Sequence, residues 1–75
     1  MDKLEKLADE AYALKTLIYL VDKYEASSDK KIEMVKRFSM IPGCIPGRVI
    51  GSVFYQYDVT DEDQLVIQEI VNIYS

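Results

Sequence analysis

Histidine and tryptophan are absent from the sequence, and cysteine occurs only once, at Cys44. Without histidine, the chain lacks the commonest general base and the commonest zinc ligand. A single cysteine excludes a disulfide within the chain and leaves too few ligands for a structural zinc site in one copy. Because no histidine can activate the Cys44 thiol, we interpret this residue as a packing side chain.

Nucleotide-binding motifs and long apolar segments are also missing. Gly43, Gly47 and Gly51 recur at every fourth residue, but they match neither the phosphate-loop nor the dinucleotide fingerprint. The apolar run at residues 17–21 is too short to cross a bilayer, and residues 1–8 show no signal-peptide pattern. We therefore expect a cytoplasmic protein that is not an enzyme, with no cofactor, metal or small-molecule substrate and no membrane contact.

The length and the apolar content indicate a small domain with apolar surface that remains exposed. A chain of 75 residues is expected to form a single helical domain over residues 1–75. Hydrophobic residues make up 49% of the sequence, and there are six tyrosines. Some apolar surface should remain exposed after folding, which favours a protein partner and a homodimer.

The most apolar stretch predicts a long N-terminal helix, from about residue 2 to residue 24 or 25, with Asp2 as its cap. Six residues fall on alternating steps of three and four and predict the buried stripe: Leu4, Leu7, Ala11, Leu14, Ile18 and Val21. The same spacing could form a coiled-coil seam, but we interpret the helix as facing the core of its own chain.

A second helix is predicted over about residues 29–40, after cap and turn residues at positions 26–29. Its inner face should contain Ile32, Met34, Val35, Phe38 and Ile41. The dipeptides Pro42-Gly43 and Pro46-Gly47 then predict a stiff loop, with Ile41 and Ile45 packed into the core at its ends.

Residues 48–59 are ambiguous between helix and strand. A period of two fits a strand, which would make the fold α+β, with this segment pairing across a dimer. A period of 3.6 places Val49, Ile50, Val53, Phe54 and Tyr57 on one apolar face. We prefer the helix, because a lone strand has no partner for its amides within the chain. The fold class is then all-α, a small four-helix domain with a Pro-Gly loop.

The last helix is predicted to begin after Thr60, which can cap the amide of Asp63. Asp61, Glu62 and Asp63 lie in its first turn, where the helix dipole favours carboxylates. This signal accounts for the acidic cluster without a divalent cation.

The charges divide the chain into regions of opposite sign. Residues 28–57 carry five basic and two acidic groups, whereas residues 58–75 carry five acidic groups and no basic one. Segment 29–57 has the order of a helix-turn-helix and gives the alternative function, a DNA-binding transcriptional regulator. Its contact residues would be Arg48, Ser52, Tyr55 and Gln56 for bases, with Lys36 and Arg37 among those for phosphates. The long connection between its helices and the net charge of −4 oppose DNA binding.

The tyrosines favour binding to another protein as the main hypothesis. Tyrosine is enriched in interface hot spots, because it combines a large contact area with a polar tip. If Tyr55 is exposed beside Arg48 and Gln56, we expect these residues to form a hot spot, and Tyr57 and Tyr74 are secondary interface candidates. We therefore expect a small regulatory protein without catalysis, such as an adaptor, an inhibitor or an antirepressor-like protein.

Overall fold

The computed structural model describes residues 3–40 and 45–74, and these residues form α-helices with no β-strand. A single turn, α1 (Lys3–Lys6), precedes four longer helices: α2 (Glu10–Tyr24), α3 (Ser28–Phe38), α4 (Gly47–Phe54) and α5 (Asp61–Tyr74). The predicted all-α class with four main helices is confirmed. None of the described helices is long and apolar enough to span a membrane.

The predicted N-terminal helix is wrong in its first third, because the chain breaks between α1 and α2. The Asp9 carboxylate accepts hydrogen bonds from the amides of Ala11 (2.9 Å) and Tyr12 (3.4 Å), and so caps a new helix. A carboxylate that satisfies free amides makes such a start favourable. Leu7, in the break, is completely buried. Asp2, the predicted cap, lies outside the described residues.

The predicted buried stripe of this segment is also partly wrong. The buried residues of α2 are Ala13, Leu17, Leu20 and Val21. Ala11 and Ile18, which were predicted to face the core, are exposed. The helix is apolar on most of its circumference, so periodicity alone did not define which side would be covered. Because α2 packs its buried side against its own chain, the core-facing interpretation is confirmed. The side that faces the core is rotated about the helix axis relative to the predicted stripe.

Helix α3 begins after Ser27, whose hydroxyl accepts from the Lys30 amide at 3.4 Å. Met34 and Phe38 are buried as predicted, but Ile32, predicted to be inside, is 56% exposed. The helix ends at Phe38, two residues before the predicted end. The predictions for Ile41, Pro42-Gly43 and Cys44 lie outside the described residues, whereas Ile45 is buried as expected.

Helix α4 confirms the helical interpretation for the first part of the ambiguous segment, and the strand alternative is wrong. The helix ends at Phe54, so the prediction of a helix to residue 59, with Tyr57 on its apolar face, is wrong for the last five residues. Ile50, Val53 and Phe54 are buried, whereas Val49 lies at the surface. The Phe54 ring stacks on that of Phe38 with 5.9 Å between centroids, which joins α4 to α3. Tertiary packing of three large side chains outweighs the low helix propensity of the β-branched residues in this segment.

Helix α5 starts as predicted, since the Thr60 hydroxyl accepts from the Asp63 amide at 3.3 Å. Asp63 is also buried, which sequence reasoning missed. Its carboxylate accepts from Lys23 Nζ at 2.7 Å and from the Tyr24 hydroxyl at 2.5 Å. The Tyr24 oxygen in turn accepts from the Thr60 amide at 3.1 Å. This cluster of four side chains ties the end of α2 to the start of α5.

The electrostatics of this cluster follow from its hydrogen bonds. The bonds from Lys23 and then Tyr24 hold the pKa of Asp63 below its usual value, although burial acts in the opposite direction. The same bond to Asp63 raises the pKa of Lys23. Asp63 is therefore ionised and Lys23 protonated at neutral pH, and their pairing stabilises the packing of α5.

Candidate functional site

The outer surface of α4 contains the residues predicted to contact a partner. Ile50, Val53 and Phe54 turn the opposite side of the helix into the core. Four polar and aromatic residues of this segment are exposed: Arg48, Ser52, Tyr55 and Gln56. The amphipathic pattern of the segment therefore places all four at the surface, on α4 and directly after it. We call these four residues the α4 surface.

Tyr55 is the most exposed large apolar side chain of the described residues, at 90%. Its amide donates to the Gly51 carbonyl at 3.2 Å, so the backbone of Tyr55 is fixed as the C-cap of α4. The side chain borders a cleft of about 470 Å³ between α4 and α5, which Phe54 and Ile67 also line. The aromatic ring is thus held at the surface on a well-packed base.

A second cleft, of about 330 Å³, lies on the other side of the α4 surface, between α3 and α4. Three of the predicted residues line it together: Arg37, Gln56 and Tyr57. Its other charged residues are Lys30, Glu25 and Glu33, so two cations face two carboxylates. The Gln56 side-chain amide donates to the Val53 carbonyl at 3.1 Å, which keeps it against the end of α4.

The Tyr57 hydroxyl is held inside this cleft by a hydrogen bond that it donates to the Glu25 carboxylate. This bond raises the pKa of Tyr57 to about 12 and lowers the pKa of Glu25. The Tyr57 oxygen also lies 3.5 Å from the sulfur of Met34. Tyr57 is therefore neutral at physiological pH, and its polar tip is already engaged within the chain.

Tyr74, the other secondary candidate, is half-buried at the end of α5. Its hydroxyl donates to the Leu7 carbonyl at 2.6 Å, and burial raises its pKa. This bond fastens α5 to the break between α1 and α2. Tyr74 lines neither of the two clefts beside the α4 surface.

Lys36 and Arg37 are adjacent in the sequence but point in different directions from α3. Lys36 therefore lines a third depression, between α2 and α3. We call this depression, of about 520 Å³, the α2–α3 groove. Ile18, Tyr19 and Ile32 lie in it with exposures of 42%, 62% and 56%. Both isoleucines were predicted inside, Ile18 on the buried stripe of the first helix and Ile32 on the inner face of the second. Their charged neighbours one turn away, Lys15, Asp22 and Lys36, were the available signal of exposure.

The described residues contain no cluster of three or more histidine, cysteine, aspartate or glutamate side chains that could hold a metal ion. Every buried side-chain nitrogen or oxygen in this part of the chain has a hydrogen-bond partner. Comparisons with protein-family models, curated proteins and solved structures give no match. The function therefore has to be argued from the surfaces of the chain itself.

Proposed function

We propose that this chain acts without catalysis, as a small regulatory protein that binds another protein through the α4 surface. The role is that of an adaptor, an inhibitor or an antirepressor-like protein. The observation that carries the proposal is Tyr55, whose side chain is 90% exposed at the end of α4, a helix that buries its opposite side in the core. An exposed aromatic ring on a rigid base binds with little loss of conformational entropy.

The surroundings of Tyr55 have the composition of a protein interface. Clefts on both sides can receive side chains of a partner, and Arg48, Ser52 and Gln56 supply hydrogen-bonding groups around the ring. Phe54 and the Tyr57–Glu25 pair hold the base of the surface in place. Such preorganisation reduces the entropic cost of association.

The charges near the α4 surface favour a protein over a nucleic acid. Arg37 and Lys30 share their cleft with Glu25 and Glu33, so the cleft has no excess of positive charge. Lys31, which could have bound phosphate, pairs with Asp22 at 2.8 Å. Affinity for DNA depends mainly on uncompensated positive charge along the phosphates, and this cleft has none in excess.

The proposal is tested by photo-crosslinking from Ser52, which is exposed one turn before Tyr55. A crosslinking residue at position 52 is expected to capture from native extract a polypeptide that differs from this chain, and one at exposed Asn72 of α5 is not. Tyr55→Ala should abolish the adduct from position 52. Tyr19→Ala is the matched control, because Tyr19 is also exposed but lies in the α2–α3 groove. An unchanged adduct in Tyr55→Ala would refute the proposal.

DNA binding is the second candidate, favoured by the exposure of Arg48, Ser52 and Gln56 on a helix that follows another helix. Lys36 and Arg37 would then contact phosphates. Titration with random-sequence duplex DNA at low and moderate salt separates the two functions. Binding that weakens steeply with salt, and that Arg48→Ala reduces, would support DNA binding. Absence of binding is expected if the partner is a protein.

The location and the assembly of the protein remain part of this proposal. A cytoplasmic location accords with the lone cysteine of the sequence, because reducing compartments need no disulfide. Homodimer formation accords with the large apolar side chains that the described helices leave exposed.

A further inference from the structure

The α2–α3 groove is a second surface, independent of the α4 surface. Ile18, Tyr19 and Ile32 together expose apolar area that the described part of the chain leaves uncovered. Val35 is half-buried at the bottom of the groove. Clustered exposure of this kind marks a contact site for another macromolecule, whereas single exposed apolar residues are common on any surface.

The rim of the groove is positively charged. Lys31 is neutralised by Asp22, at 2.8 Å. Among residues 3–40 and 45–74, no carboxylate lies within 4.0 Å of the Lys15 or Lys36 ammonium groups. Two uncompensated lysines therefore border an apolar floor. An occupant that fits this groove has an apolar ridge with carboxylates along it, and two grooves facing each other would bring lysines together.

The outer face of α5 has this chemistry. Leu65 is 64% exposed and Ile73 is 39% exposed, and the half-buried Glu69 lies between them at intervals of four residues. Residues four apart form a continuous ridge on a helix. Asp61 and Glu62 lie one turn before Leu65, and residues 58–75 contain no basic group. We call Leu65, Glu69 and Ile73 the α5 ridge.

We propose that the α5 ridge of one copy docks into the α2–α3 groove of a second copy. Leu65 and Ile73 then cover Ile18, Tyr19 and Ile32, while the carboxylates of α5 face Lys15 and Lys36. The contact joins two different surfaces, so it forms a closed ring if the rotation between copies closes, and an open chain if it does not. This inference gives the expected self-association a geometry and does not use the α4 surface.

Sedimentation velocity of the purified protein, up to about 1 mM, measures this association. The expected result is a weight-average mass that rises with concentration. Lys36→Glu and Glu69→Lys should each weaken the association about fivefold to tenfold, because each replaces an attraction by a repulsion. An equimolar mixture of these two variants should recover association, since the carboxylate introduced on the groove rim of one variant meets the ammonium group introduced on the ridge of the other.

Ile32→Ser and Leu65→Ser test the apolar part of the contact. Both residues are more than half exposed, so both variants should fold as the wild type does and lose association. Val49→Ser is the matched control, an exposed aliphatic residue outside both surfaces, and it should associate normally. A protein that stays monomeric at all concentrations overturns the inference. So does a Glu69→Lys variant that associates like the wild type.

These outcomes are distinct from those of the protein-binding test. A monomeric chain that still captures a polypeptide from Ser52 would overturn the inference about the groove and leave the proposed function supported. A chain that self-associates but captures no polypeptide from Ser52 would support the inference about the groove and overturn the proposed function.

Discussion

Replacing Asp63 by asparagine should lower the free energy of unfolding more than most substitutions of one polar residue by another. Asp63 is 8% exposed and its carboxylate accepts bonds from Lys23 and Tyr24. Asparagine removes the charge, and its amide group cannot accept from both donors at one oxygen with the same strength. A hydrogen bond to a charged group contributes about 1.5–3 kcal/mol, and Lys23 is partly solvated, so we expect a loss of about 2 kcal/mol.

The loss should depend on pH with a definite sign. The pKa of Asp63 is lower in the folded protein than in the unfolded chain, where it is about 4. Its contribution is therefore complete above the unfolded value and is lost as the pH falls through the folded value. The difference in unfolding free energy between wild type and Asp63→Asn should be constant from pH 7 to about 5, and should narrow below about pH 4.

Urea unfolding followed by circular dichroism at several pH values measures this difference. A loss of about 2 kcal/mol corresponds to a fall in Tm of about 8–16 °C for a domain of this size. Asp22→Asn is the matched control, because the exposed Asp22–Lys31 pair should contribute less than about 1 kcal/mol. An Asp63→Asn variant as stable as the wild type at pH 7 would refute the reasoning, and so would a difference that persists unchanged at pH 3.

Three further outcomes are expected from the packing and the hydrogen bonds. Gly51→Ala should raise the free energy of unfolding by up to about 1 kcal/mol, because alanine has the higher helix propensity and its Cβ would lie at an ordinary 3.6 Å from Val71 Cγ2. Urea unfolding measures this change, and a lower stability than the wild type would contradict the geometry. Ile50→Ala should cost about 3 kcal/mol in the same assay, since Ile50 is completely buried, and a cost below about 1 kcal/mol would contradict that burial. In an alkaline absorbance titration, Tyr57 should ionise near pH 12. Glu25→Gln should lower the pKa of Tyr57 toward the ordinary tyrosine range, because the hydroxyl loses its charged acceptor. An unchanged titration of the Glu25→Gln variant would contradict the pairing.

The sequence predicted the elements of the fold where local signals and packing agree. Thr60 caps α5 because a short hydroxyl side chain satisfies free amides wherever a helix follows. The helical form of α4 was predictable because the 3.6-residue period collects Ile50, Val53 and Phe54 on one side. Both inferences depend on residues close together in the chain.

The failures concern information that only the tertiary structure contains. The chain turns near Leu7, which buries the Leu7 side chain, and Asp9 then caps α2. No residue near Leu7 interrupts the helical pattern of the sequence, so the turn could not be predicted from it. Ile18 was predicted inside because a broadly apolar helix such as α2 does not reveal which side its neighbours cover. Ile32 was predicted inside with the apolar residues of α3, but the neighbouring helices cover Met34 and Phe38 and leave Ile32 exposed. The partners of Asp63 lie about forty residues away in the sequence, at Lys23 and Tyr24, so a local pattern could not identify them.

The candidate site was predictable in composition and only partly in arrangement. The exposure of Arg48, Ser52, Tyr55 and Gln56 follows from the amphipathic period of α4. The division of Lys36 and Arg37 between two depressions was not expected, because adjacent residues on a helix point about 100° apart and the neighbouring helices decide what each faces. Whether the α4 surface binds a protein stays a prediction.

The affinity of the captured partner for wild type and for Tyr55→Ala, measured by titration calorimetry, tests the proposed function most directly. If the exposed ring is a hot spot, truncation should weaken binding at least about thirtyfold, while the unfolding free energy stays within about 0.5 kcal/mol of the wild type. Equal affinities for the two proteins would contradict the account.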